Sequence, residues 1–427
     1  MAVHTLSVCE WVLLAGCGTA SLYAMVAALA MPFFAARRAG VATRGAHSAA
    51  AQPTEFLSPH VGVSVLKPLC GAEPRLFENL QTFCVQRHQH YQLVLGVSSS
   101  DDPAVAVVRR LQLAYPMHDI ELAIDTRVHG SNLKVSNLIN MAARARHEVI
   151  VIADSDIAVE ADYLDTVAAP LVDLSIGVVT CLYVAQGVGG FWPRVGALFI
   201  NEWFVPSVRV AHAVGSRRFG FGATLALRRT TLGRIGGFEA LKNCLADDYW
   251  LAEHVRGLGL RTVLSRVIVT TDVIEPTFRA LSQRETRWLR TIRSVNPLGF
   301  AFLFITFPSP WLLVGAWLTG NVSAAPTGGP HLWATLASAS VTVCGFVARV
   351  LLHLRAARHQ RTFWRDLPLV PLRDTLLALQ WLAALFGSHV VWRGARVPVA
   401  QSASRSASAR QSTVLASLDE VETSDGR

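Results

Sequence analysis

Asp154 and Asp156 close the apolar run VIADSDIAV, and a buried run ending on two carboxylates two residues apart could do chemistry. In an extended chain residues i and i+2 leave on one face, so both carboxylates would enter one crevice if the strand continues through Ser155. Two like charges there repel unless something positive joins them. Oxygen ligands suit Mg2+ or Mn2+, a hard cation that keeps positions open for phosphate oxygens. Taken alone, the same spacing fits a strand-terminal turn with Asp154 as a helix cap. Further charged groups stand at the ends of predicted elements: Asp101 and Asp102 in SSSDDPA, Asp247 and Asp248 in CLADDYWLAEHV, and Lys134 in GSNLKVSNL. RETRW supplies Arg284, Arg287 and Trp288, followed by Arg290 and Arg293. Singly, the acidic pairs suit helix capping, Lys134 an exposed helix start, and the arginines an interfacial helix against anionic lipid.

The elements that must position these groups alternate between β and α patterns from about residue 60, as in a doubly wound sheet. Strands are predicted over Gly62–Leu69, Tyr91–Ser99, Ile120–Thr126 and Glu148–Asp154, with helices over Glu73–Gln86 and Lys134–Ala145. Asp102 and Pro103 sit where a helix cap and first turn belong. Ile176–Ala185 reads as another strand and Trp192–Val210 as a helix. Ligands in such sheets bind at the carboxyl ends of the strands, which is where Asp154 falls.

Hydrophobic residues make up 52% of the 427 positions and charged residues only 16%, with a mean hydropathy of +0.36, so part of the chain belongs in a membrane. Residues 11–34 carry no charge and exceed the roughly 20 residues needed to cross a bilayer. Arg37 and Arg38 follow directly, which places the next domain in the cytoplasm by the positive-inside rule. A polar linker is expected over 39–59, a catalytic domain over 60–297, membrane segments over 299–393, and a disordered tail rich in Ser, Ala and Arg over 397–427. The membrane segments comprise Phe300–Leu318, Leu332–Leu354 and Leu376–Val391; Pro308 and Pro310 make the first kinked or re-entrant. If all three cross, parity puts the tail outside, whereas Arg393, Arg396, Arg405 and Arg410 favour the inside.

The net charge of +9 is concentrated beside the apolar segments, and no basic face interleaved with aromatics marks a nucleic-acid partner. Seven scattered cysteines, none in a CxxC pair, argue against a disulfide framework and a structural zinc site.

In order, Asp102, the DSD of Asp154 to Asp156, Asp248, and Arg284-x-x-Arg287-Trp288 resemble the D, D, D, (Q/R)xxRW series of inverting family 2-like glycosyltransferases. The segments GVSVLKPLCGAEPRLFENL, DDPA, GSNLKVSNLI, ADSDI, ALRRTTLGRIGGFEAL and LADDYWLAEHVRGLGLR resemble ceramide glucosyltransferases, and still more closely the bacterial hopanoid-biosynthesis-associated glycosyltransferases. Ser99 departs from the acid that ceramide glucosyltransferases often carry there. Gln283 is one position too early for the Q form, so Arg284 fills that role.

The resemblance implies a GT-A-type α/β domain that binds a nucleotide sugar, flanked by transmembrane helices, in an integral protein of the bacterial inner membrane. It implies that Asp102 reads the uracil ring, that Asp154 holds the ribose or metal shell, and that Asp156 holds Mg2+ or Mn2+ at the diphosphate. Asp248 would be the general base on the acceptor hydroxyl. Arg284, Arg287 and Trp288 would line the diphosphate and acceptor entrance, and Lys134 would add a cation near the nucleotide. Gly222 would let the backbone approach the donor sugar, or would serve a turn. The implied reaction moves one sugar from a UDP-sugar to the hydroxyl of a membrane lipid, with inversion. UDP-N-acetylglucosamine and a hopanoid polyol such as bacteriohopanetetrol are the implied substrates; UDP-glucose and ceramide are the alternative. A processive polysaccharide synthase shares the motif series but needs a translocating channel that few spans can build. A non-catalytic nucleotide-sugar receptor would not need every motif intact.

Overall fold

The computed structural model of the protein describes residues 7–32, 61–324, 330–392 and 395–398. The expected linker lies outside them, as do residues 33–34 of the first apolar segment. Of the expected disordered tail, Val397 and Pro398 close a strand and the remainder is outside the described residues.

Helix α1 (Val8–Ala30) precedes β1 (Val63–Pro68), α2 (Leu76–Thr82), β2 (Tyr91–Val97), α3 (Ala104–Ala114), β3 (Ile120–Ile124), α4 (Leu133–Ala142) and β4 (Val149–Ile152). This is the expected doubly wound half. Strands β1 to β4 are mutually parallel in the order β3-β2-β1-β4. The uninterrupted apolar run of β4 follows from burial on both faces. Val149 and Val151 enter one core, and Ile150 and Ile152 enter the other. Each such side chain contributes about 1.5–3 kcal/mol of burial.

After β4 come β5 (Ile157–Ala158) and β6 (Ile176–Gly187), then α5 (Phe191–Phe199), which runs through a π-helical turn, Ile200–Phe204, into α6 (Val205–Ala213). Strand β7 (Leu225–Arg228), α7 (Asp247–Gly257) and β8 (Arg261–Val273) complete the sheet, in the order β3-β2-β1-β4-β7-β6-β8-β5. Strand β7 is antiparallel to both β4 and β6, so β6 and β8 run parallel to β4 and their carboxyl ends reach the same edge.

The chain continues through α8 (Phe278–Val295), α9 (Pro308–Ala324), α10 (Pro330–Ala356), α11 (Gln360–Asp366) and α12 (Val370–Ala384) to the hairpin β9 (His389–Trp392) and β10 (Ala395–Pro398). Among the described residues two helices are long and apolar enough to cross a membrane, over Val8–Ala30 and Trp333–Ala356. Before α9 the chain makes a short helix, Pro297–Ala301, and a 3-10 turn, Leu303–Thr306, so the proline-bearing stretch is broken as expected.

The third apolar stretch differs from expectation. Helix α12 ends at Ala384, Gly387 turns at φ +87, where a Cβ would also strike the Arg290 guanidinium, and the chain becomes β9. Buried Arg373 and Asp374 tie α12 to Glu285 of α8 and Arg349 of α10, and Gln380 accepts from Arg373 within α12. The contacts fix the directions of the other helices. Gly315 faces Thr342 while Thr319 bonds Ser338, so α9 and α10 are antiparallel. Ser21 lies against Val341 and Gly345, and Arg355 donates to the Met31 carbonyl at 2.7 Å, so α1 and α10 run parallel. Helix α10 therefore returns the chain to the side of the sheet domain. Val390 of the terminal hairpin packs on Leu245 of that domain. A third core, with Met31, Phe199, Trp203, Leu289, Phe300, Phe307 and Leu352, fuses helices and sheet.

Candidate functional site

Ser155 and Asp156 form a turn, so the extended geometry expected for the DSD segment does not hold. Two backbone contacts bend the chain: Lys67 Nζ donates to the Asp154 carbonyl at 2.7 Å, and the Asp272 amide donates to the Asp156 carbonyl at 3.0 Å as β5 pairs with β8. The two side chains take different partners. Asp154 Oδ1 accepts from Lys134 Nζ at 2.6 Å, and Asp156 Oδ2 accepts from the Thr271 hydroxyl at 2.9 Å.

Lys134 stands in the first turn of α4, capped by Asn132, whose side chain accepts from the Val135 amide at 3.0 Å. The same Asn132 donates to Asp247 at 3.1 Å, and Asp247 lies 3.8 Å from Lys134. Asp248, in the first turn of α7, has both oxygens fixed by backbone N–H groups. Gly222 donates to Oδ2 and Tyr249 to Oδ1, each at 2.8 Å. A Cβ placed on Gly222 would lie 3.2 Å from Asp154 Oδ2, 3.3 Å from Lys134 Nζ and 3.4 Å from Asp248 Oδ2. Three charged groups, from the segment just after β4, from α4 and from α7, thus converge on one residue without a side chain.

Burial pushes Asp248 up to about 6, with Asp247 adding to the rise and Lys134 opposing it. Asp156 is pushed up to about 7 by burial, then by Asp154 and Glu73, against Thr271 and Lys67. Burial works to lower Lys134, but Asp154 and Asp247 outweigh it and hold the ammonium above the ordinary lysine range. Negative charge is in excess around Asp156, and its hard oxygens suit a divalent cation. Among the described residues no group of three or more His, Cys, Asp or Glu side chains could hold a metal, so phosphate oxygens would have to complete the coordination.

Across from this cluster, Arg284 pairs with Glu275 at 2.9 Å and its guanidinium lies 5.2 Å from the Trp288 ring. Its Nε and Nη2 are buried without a hydrogen-bond acceptor among the described residues. Arg287 is held below the ordinary arginine range by burial and then by Arg284, while Asp154, Asp248 and Asp247 pull it back, so its charge is felt by the acid cluster. Trp288 packs against Phe199 at 5.6 Å and Tyr183 at 6.5 Å.

Asp102 stands apart, at the end of β2. Its oxygens accept from the amides of Gly71, at 2.9 and 3.1 Å, and Ala104, at 2.8 Å. It therefore ties the β1–α2 loop to the start of α3, with lone-pair capacity left for a further donor. His88 and His129 are ordinary polar residues, bonded to Asp165 and Asn140.

Sequence reasoning passed over Lys67, which is fully buried with Nζ 3.8 Å from the Phe83 ring centroid. Burial lowers it to about 7 although Asp156, Asp154 and Glu73 raise it. A lone lysine near the end of the apolar strand GVSVLKPL was the available signal. Tyr183 was also passed over; burial and then Asp248 and Asp154 push its phenol up.

The family model described as Glycosyl transferase family 21 matches residues 21–404. Ceramide glucosyltransferase 1 of Caenorhabditis elegans is 24% identical over 237 residues, covering 55% of this chain and 51% of that protein. Ceramide glucosyltransferase of Pyricularia oryzae is 33% identical over 114 residues, 23% of each chain. The chain spans about half the length of the C. elegans relatives it matches. Among solved structures, the mannosyltransferase PcManGT of Pyrobaculum calidifontis, in complex with GDP-Man and Mn2+, superposes with a TM-score of 0.44 at 19% identity, covering 87% of this chain and 99% of that one. With a match extending from α1 through the sheet domain to the terminal hairpin, the chain belongs to glycosyl transferase family 21.

Proposed function

We propose that the protein transfers one sugar from a UDP-sugar to the hydroxyl of a membrane lipid, with inversion, at the cytoplasmic face of a bacterial inner membrane. The observation that carries this reading is the convergence of Lys134, Asp154 and Asp248 on Gly222 at the carboxyl edge of the sheet. Asp248 is the general base: its two backbone hydrogen bonds orient it, and its raised pKa makes it a stronger proton acceptor than an exposed carboxylate while leaving it largely ionised at neutral pH. It takes the proton of the acceptor hydroxyl as that oxygen attacks the anomeric carbon from the face opposite UDP. Lys134 fixes Asp154 and supplies positive charge beside the nucleotide. Arg284, with two buried donors to spare, and Arg287 face the diphosphate. Trp288 borders the acceptor entrance, and Asp102 shapes the loop at the base. Asp156, with Asp154 beside it, would hold Mg2+ or Mn2+, which when bound neutralises charge on the diphosphate.

The family, the two long apolar helices and the fusion of helices with the sheet domain support a lipid acceptor that stays in the bilayer. The motif resemblance favours a hopanoid polyol and UDP-N-acetylglucosamine. The curated relatives favour ceramide and UDP-glucose as the second reading. Membranes carrying the protein, incubated with each UDP-sugar and each lipid, will yield a monoglycosylated lipid detectable by mass spectrometry. Long polymers, or no glycolipid from any pair, would overturn the proposal.

A further inference from the structure

Between the end of β6, α5 with its π turn, and the α10–α11 junction lies a cavity of about 340 Å3, walled in part by Arg194, Arg358, His359, Thr362 and Arg365. The carboxylates on its wall are already engaged. Asp366 is shared by Arg194 and Arg365, each at 2.7 Å. Glu202 is held by Arg349 at 2.8 Å and His353 at 2.5 Å. Arg358 donates to the Thr270 hydroxyl at 3.0 Å and forms no ion pair with a carboxylate among the described residues. Burial holds its guanidinium below the ordinary arginine range. A desolvated cation with no counter-ion raises the free energy of its site, and a bound anion removes that cost.

The position of the cavity indicates the source of the anion. It lies at the end of α10, next in sequence to Arg355, which meets the end of α1, and against α11, whose Trp364 is 63% exposed. Tryptophan and arginine gather at this level of a membrane, where leaflet lipids present phosphate. We propose that the cavity binds the phosphate of an anionic phospholipid headgroup, with Arg358 as principal donor and Arg194, Arg365 and Thr362 around it. The site is separate from the acid cluster yet adjoins it through β8: Thr270 bonds Arg358, and the next residue, Thr271, bonds Asp156. The lipid source rests on the membrane placement proposed above; the phosphate chemistry does not.

The test uses the full chain in vesicles of phosphatidylcholine alone, of phosphatidylcholine with one-third phosphatidylglycerol, or of phosphatidylcholine with millimolar inorganic phosphate. Phenylglyoxal modification of Arg358 is followed by mass spectrometry. We expect phosphatidylglycerol to slow modification about tenfold, the change that one charge-assisted contact yields, while phosphatidylcholine does not. Protection by inorganic phosphate alone would keep the anion site and overturn its lipid source. Equal modification in all three would overturn the proposal. Arg358→Gln should release co-purifying phosphatidylglycerol and Arg358→Lys should retain it; if the glutamine variant fails to fold, protection of the unmodified chain decides. Neither readout requires sugar transfer, so the outcome is independent of the reaction proposed above.

Discussion

Two regions of the molecule hold buried charge and treat it in opposite ways. Between α10, α12, α8 and the π turn, Arg349 bonds Asp374 and Glu202, His353 bonds Glu202, and Arg373 bonds Glu285 and Gln380, with the Ser309 hydroxyl on Asp374. These charged groups are paired, and their contacts join four segments of the chain. At the edge of the sheet, Asp154, Asp156, Asp247 and Asp248 crowd around Lys134 and Lys67, and two of the carboxylates are driven up toward neutrality. Satisfied charge marks architecture, and unsatisfied charge marks where a ligand completes the structure.

The comparison can be broken at its most reactive point first. Asp248→Asn should lower kcat about 10³–10⁴-fold, the upper part of what a general base contributes, with UDP binding measured by calorimetry retained. Full activity in that variant would remove the assigned base. In the paired region, Arg349→Met strands Asp374 and Glu202 and should destabilise the protein by about 3–5 kcal/mol, read as a lowered midpoint of thermal unfolding in detergent. An unchanged midpoint would show that the network holds nothing together. Gly222→Ala introduces a methyl 3.2–3.4 Å from three charged groups and should cost up to about a hundredfold in kcat/KM, with little change in the unfolding midpoint. The mildest perturbation is pH. With Asp248 as the proposed base, its ionised form is the active one; its pKa is raised to about 6, so kcat/KM should be level above that value and fall about tenfold per unit below it. A limb near 4 would mean that burial does not act on this group. Chelation by EDTA sharpens the contrast, since it should suppress transfer and leave the paired network, and hence the unfolding midpoint, untouched.

The parallel half of the sheet was legible because β1, β2 and β4 are buried runs closed by turn residues, and their ends located Asp102 and Asp154. Strand β7 was not, because LALR spans only four residues and is a strand by virtue of its pairing with Val149–Ile152 and Val178–Thr180. The conformation of the DSD segment was misread for a similar reason: the contacts that bend it come from Lys67 and Asp272, which are remote in sequence. Leu376–Val391 has the composition of a span, yet Arg373 and Asp374, just before it, are anchored by Glu285 and Arg349. Composition reports that a segment is apolar and leaves its partner unspecified. Of the site residues, Asp154 and Asp248 belong to the ordered acid series and converge with Lys134 on Gly222, whereas Lys67 lies in the GVSVLKPL strand and outside that series.

The π turn over Ile200–Phe204 inserts extra residue length into an otherwise continuous helix from Phe191 to Ala213. Each residue of an α-helix advances about 100° around the axis, so one surplus residue offsets the phase of everything beyond it. Before the turn the helix presents Arg194 to Asp366; within it Glu202 reaches Arg349 and His353; after it Ser207 bonds Tyr23 of α1. Deleting a single residue there would restore ideal helical winding and rotate one half away from its neighbours. The turn thus works as a phase adapter, letting one rod read the sheet domain at one end and the first apolar helix at the other.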